Sequence, residues 1–133
     1  MALVGGGQSG FGSGGTAGVS KGLNYVGSHA FANSGAVGVV QADTTQLDFT
    51  TGGEYIEAKF RFNTENTDDD IRFKVNFDGE TVQGYTVGSA NNHSFHSALD
   101  LIIPPFTHVV CTGYNESSST SRTTYASISG RVY

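Results

Sequence analysis

Two short stretches of this chain place apolar side chains at every second position, and that alternation limits what it can fold into. In Tyr55–Phe62, Ile56, Ala58, Phe60 and Phe62 alternate with Glu57, Lys59 and Arg61. In Ile71–Phe77, Ile71, Phe73, Val75 and Phe77 alternate with Arg72, Lys74 and Asn76. A period of two puts one set of side chains on each face of a pleated strand, so both stretches read as strands with one buried and one wet face. Asp78-Gly79 follows immediately, a pair suited to the two positive-φ positions of a type I′ turn, with a returning strand over about Glu80–Val87. The hairpin is antiparallel, as a sheet with one solvated side requires.

Weaker alternation flanks the hairpin. Short strands are expected over Asn24–Asn33 and Gly35–Val40 with a turn at Asn33-Ser34-Gly35, and over Gln46–Thr50 before Thr51-Gly52-Gly53. Phe95–Ile103 should end at Pro104-Pro105, where two ladder donors are lost. Phe106–Tyr114 and Tyr125–Tyr133 complete the set, separated by the polar loop Asn115–Ser121. Eight or nine strands at this spacing predict an all-β fold, an antiparallel two-sheet jelly-roll sandwich over residues 23–133. Residues 1–22 are rich in glycine and serine, with Leu3, Val4 and Phe11 among their few apolar side chains. That composition buries too little apolar surface to offset its ordering entropy, so a flexible N-terminal arm is expected.

Composition narrows the function. The 133 residues suit one domain, and a net charge of -5 with only seven Lys and Arg speaks against nucleic-acid binding, which needs a basic face. No run approaches the roughly 18–20 apolar residues of a membrane helix, so no membrane partner is expected. Met1–Gly7 shows neither the basic region nor the apolar stretch of a signal peptide. The single cysteine, Cys111, alternates with Val109 and Gly113 and reads as a packed thiol.

Candidate chemistry is thin. Asp68-Asp69-Asp70, with Asn63, Glu65 and Asn66 nearby, offers hard oxygen ligands for calcium but lacks an EF-hand loop, and a solvated turn is the plainer expectation. His93 and His96 would point to opposite faces of a strand, and nothing nearby completes a tetrahedral zinc site; His29 and His108 are isolated. The arm glycines are not followed by the Lys-Ser/Thr of a phosphate loop. No catalytic residue, metal or cofactor is expected, and the chain does not read as an enzyme.

Two resemblances sharpen this. Leu47-Asp48-Phe49-Thr50 followed by Gly53-Glu54-Tyr55-Ile56-Glu57-Ala58-Lys59-Phe60, the Asp78-Gly79 turn and the closing Ile128-Ser129-Gly130-Arg131-Val132-Tyr133 resemble C1q/TNF-like jelly rolls, which implies a compact trimer. Leu23–Gly35, Leu47–Gly53, Ile102-Ile103-Pro104-Pro105-Phe106-Thr107 and Gly130-Arg131-Val132-Tyr133 are similar to phrases of small virion proteins of marine tailed bacteriophages. That similarity implies a capsid decoration subunit, made in a bacterial cytoplasm and residing on the virion, with copies of itself and the major capsid protein as partners. Tyr25, Phe31, Phe106, Tyr114, Tyr125 and Tyr133 are then interface or core residues, and Leu3, Val4 and Phe11 anchors of the arm. The alternative is a carbohydrate- or receptor-binding module of a fibre or spike, using polar loops at Asn91–Ser94 and Asn115–Ser121 beside Tyr114.

Overall fold

The computed structural model describes residues 20–65, 68–87 and 98–133. Leu3, Val4 and Phe11, the histidines His93 and His96, and the loop Asn91–Ser94 lie outside the described residues. Among the described residues there are ten strands and no helix: β1 Ser20–Val26, β2 His29–Asn33, β3 Val37–Val39, β4 Thr44–Thr50, β5 Ile56–Thr64, β6 Ile71–Phe77, β7 Glu80–Val87, β8 Ala98–Ile103, β9 His108–Asn115 and β10 Arg122–Val132.

The strands form two antiparallel sheets packed face to face. The larger runs β1-β2-β10-β5-β8, with β3 beside the first part of β10; the smaller runs β4-β9-β6-β7. From β3 onward every connection crosses to the other sheet except the β6–β7 hairpin. That winding makes the sandwich a jelly roll.

The alternation read from sequence sets which face is buried. Ile56, Ala58, Phe60 and Phe62 of β5 and Ile71, Phe73 and Val75 of β6 all point inward. The rings of Phe62 and Phe73, one from each sheet, stack across the core with centroids 5.0 Å apart and planes 18° from parallel. Such a pair contributes about 0.5–1.5 kcal/mol beyond its buried area. Leu47, Ile103, Val109, Cys111 and Ile128 fill the space around it. Cys111 is fully buried, and burial pushes its thiol pKa up, so it stays protonated and packs as a small apolar residue. The Asp78-Gly79 turn has φ of 50° and 89°, both in the positive region that the residue pair suggests.

Three features differ from the sequence reading. The stretch expected as one strand over Asn24–Asn33 breaks into β1 and β2 at Gly27, whose φ of 58° turns the chain. A polar residue, Gln46, is buried beside Leu47 because β4 carries a bulge opposite Cys111 and Thr112, which aims two successive side chains inward. There Gln46 Nε2 donates to Thr124 Oγ1 at 2.7 Å, and that hydroxyl donates to Val37 O at 3.0 Å, joining the two sheets through the core. Finally, β9 begins at His108, two residues later than expected, because Phe106 adopts a φ of 55° that no strand accommodates.

Strand β10 lies at the centre of the large sheet, and Gly130 lets it approach β5 closely. A Cβ at Gly130 would lie 2.6 Å from Glu57 O and 2.8 Å from Ile56 Cγ2. We predict that Gly130→Ala overpacks this contact and destabilises the fold by about 1–3 kcal/mol. Chemical denaturation would read this as a lower midpoint with an unchanged slope.

Candidate functional site

The two ends of the sandwich have different chemistry. One end gathers the β1–β2 turn, the β4–β5 loop, the Asp78-Gly79 turn, the β8–β9 loop and the C-terminal Tyr133. The other gathers the β5–β6 and β9–β10 loops.

At the first end the two prolines dictate the loop. Pro104 and Pro105 have no N–H to give, so the β8–β9 loop is held by groups from the β4–β5 loop. The Thr51 hydroxyl donates to Pro104 O at 2.9 Å and accepts from Thr107 N at 2.9 Å. Thr51 N donates to Thr107 O at 3.0 Å, and Phe106 N donates to Gly52 O at 2.8 Å. This latch forces Phe106 into its positive φ, a conformation costing a bulky residue about 1–3 kcal/mol. The ring gains little burial in return: Phe106 is 75% exposed, and its edge lies over Gly53. The same end also carries Tyr55 at 54%, Ile102 at 55%, Tyr133 at 65% and, on the β1–β2 hairpin, Tyr25 at 43% and Val26 at 65%. Six of the eight exposed large apolar side chains among the described residues therefore share one end. Scattered singly they would be ordinary; gathered, they form an exposed apolar surface.

Tyr133 is also fixed in place. Its N–H donates to Tyr55 O at 2.9 Å, its hydroxyl to Glu57 Oε1 at 3.0 Å, and the Arg131 guanidinium lies 5.5 Å from its ring centroid. The bond to Glu57 raises the phenol pKa above its usual value, as does the negative charge of that carboxylate. Partial burial and the charge of Glu54 do the same for Tyr25.

The opposite end is polar and self-satisfied. Asp69 Oδ2 receives Arg122 Nε at 2.8 Å, Asn115 Nδ2 at 2.9 Å and Ser118 Oγ at 2.9 Å. Asn115 Oδ1 in turn accepts from Ser117 N and Ser118 N, and Arg72 pairs with Glu116. The aspartate expected to be a solvated turn residue or a calcium ligand is thus a buried buckle between two loops. Among the described residues no three His, Cys, Asp or Glu side chains converge as a metal cage. The Asn115 amide, proposed above as a sugar contact, is taken up in the same network, and Tyr114 stands apart on the outer face of the small sheet. His108 Nε2 lies 2.7 Å from Asp48 Oδ1.

The outer face of the large sheet carries a third feature, two adjoining clefts along β10. Ser127 and Ser129 are short, while longer side chains rise from β2, β5 and β8 on either side. Toward the aromatic end a cleft of about 600 Å³ is lined by His29, Glu57, Lys59, Asp100, Ile102 and Arg131. Lys59 Nζ lies 3.1 Å from Asp100 Oδ1 there, an exposed pair worth about 0–1 kcal/mol. At the next outward positions a cleft of about 310 Å³ is lined by Asn33, Arg61, Asn63, Tyr125 and Ser127. The Tyr125 hydroxyl donates to Glu65, which raises its pKa.

Of the residues singled out by sequence, the structure brings Tyr25, Phe106 and Tyr133 to the aromatic end. It places Phe31 and Tyr125 on the outer face of the large sheet. None of the six joins the buried core. Tyr55, Ile102 and Arg61 were not singled out, and Asn63 only as a neighbour of the Asp68–Asp70 turn; Ile102 is hidden in the apolar run Leu101-Ile102-Ile103, where alternation cannot be seen. Neither a known family model nor a characterised protein matches the sequence.

The Asp69 buckle gives a pH dependence. Hydrogen bonds from Arg122, Asn115 and Ser118 lower its pKa to about 2, against about 3.9 for a free aspartate. The folded state therefore gains stability from this carboxylate at all pH values above about 4 and loses it progressively as the pH falls toward 2. Asp69→Asn should lower the melting temperature at pH 7 and flatten its dependence on pH between about 4 and 2, measured by thermal scans across that range.

Proposed function

We propose that this chain is a non-catalytic structural subunit that works by association: a jelly roll that self-assembles, as a trimer, and covers or reinforces a virus capsid as a decoration protein. The observation that carries the reading is Phe106. Its ring is held out in solvent by a latch of four hydrogen bonds and a strained backbone, at the end that also carries Tyr55, Ile102 and Tyr133. A fold gains nothing in isolation from straining a phenylalanine outward, whereas a partner surface would bury it. Rigid aromatic anchors of this kind contribute most to interface energy because they lose little entropy on contact. Symmetric closure would hide the patch, and several weak contacts per oligomer would give avidity on a repeating lattice.

Phe106→Gly separates assembly from folding. Glycine accepts a φ of 55° without strain, so the variant should melt at or above the wild-type temperature. Removing the anchor should nevertheless reduce the mass measured by light scattering from about three chains to one at micromolar concentration. Tyr133→Ser should weaken association in the same direction. A wild-type monomer, or a Phe106→Gly variant of unchanged oligomeric mass, would refute assembly through this end.

A further inference from the structure

The furrow on the outer face of the large sheet runs along β10 from the aromatic end, with Ile102 at its border, and its far part has a different chemistry. In the smaller cleft Arg61 is exposed, and no carboxylate among the described residues pairs with it. Asn63 Oδ1 is shielded from solvent and has no hydrogen-bond partner among the described residues. Both project from β5 beside Ser127 and Tyr125 of β10, since Asn63 is in register with Tyr125 and Arg61 with Ser127. An unpaired planar cation, an acceptor awaiting a donor, hydroxyl groups and an aromatic ring thus border one concavity of about 310 Å³. Its volume and that of the adjoining cleft lie within the roughly 300–1,000 Å³ of small-molecule sites.

The chemistry that satisfies all of these groups at once is a carboxylate-bearing sugar. A guanidinium matches a carboxylate bidentately. Rotation of the Asn63 side chain toward the cleft would let its carbonyl oxygen accept from a ring hydroxyl, which would relieve the cost of leaving it unpaired. A tyrosine ring offers a flat surface to the apolar face of a pyranose. The next cleft along β10 has balanced charge, with Glu57 and Asp100 facing Lys59 and Arg131. Such a lining supplies donors and acceptors to hydroxyl groups without selecting a net charge. We infer that this furrow binds an acidic oligosaccharide, with a uronate carboxylate seated on Arg61 and the following residues of the chain lying along Ser127 and Ser129.

Isothermal titration of the full-length protein with trigalacturonate tests this, with galacturonate and neutral galactotriose as comparators. The trisaccharide acid should bind about tenfold more tightly than galactotriose, and the preference should fall as salt is added. It should also bind more tightly than the monosaccharide acid, because both clefts are filled. Arg61→Gln should abolish the preference for the acid while leaving the melting temperature unchanged, since the side chain is solvent-facing. Phe106→Gly should bind as the wild type does, so this inference and the assembly reading fail separately. No binding of trigalacturonate up to about 1 mM, equal binding of galactotriose, equal binding of the monosaccharide, or an intact preference in Arg61→Gln would each overturn it.

Discussion

The stacked rings of Phe62 and Phe73 hold the two sheets in register, and the rest of the molecule is arranged around that contact. Each ring is the inward residue of an alternating strand, so the pair exists only if β5 and β6 keep the parity of their whole sequence. A slip of one residue in either strand would expose every apolar side chain it carries. Gly130 lets β10 close against β5, and Gln46, brought inward by its bulge, ties β4 to β10 through Thr124. The core is therefore fixed by a few interlocking choices, and the sandwich behaves as a rigid platform for what its surfaces carry.

Those surfaces divide the labour. At the polar end Asp69 is saturated by Arg122, Asn115 and Ser118, which ties its turn to the β9–β10 loop. At the aromatic end the Thr51 latch does the opposite with its side chains, fixing the backbone while turning Phe106 outward. Strain held in one place by hydrogen bonds from another element is stable only because the platform beneath it does not yield. The furrow along β10 is built from the solvent-facing parity of the same strands that build the core.

How much of this was legible depended on range. The β6–β7 hairpin, the inward residues of β5 and β6 and the packed state of Cys111 follow from alternation and one turn pair, all local signals. The β1–β2 turn was missed because Val26-Gly27-Ser28-His29 offers a single glycine in place of a recognisable turn pair. Gln46 could not be read as a core residue, since the bulge that buries it depends on how β4 pairs with β9. The candidate sites were less legible still. Sequence pointed to Phe106, Tyr25 and Tyr133 as aromatic residues but not to their company with Tyr55 and Ile102, which the crossing connections create. Arg61 and Asn63 could be assigned to the wet face of β5, yet only the placement of β10 beside it puts Tyr125 and Ser127 next to them.

The most direct test of the proposed contact surface is whether association covers it. Hydroxyl-radical footprinting of the protein, compared between micromolar and strongly diluted solutions, reports the accessibility of each aromatic ring. Protection of Phe106, Tyr55 and Tyr133 at the higher concentration, with Tyr114 labelled equally in both, is the result expected. Equal labelling of Phe106 in both solutions, with the protein assembled in one of them, would contradict the assignment of this end as the contact surface.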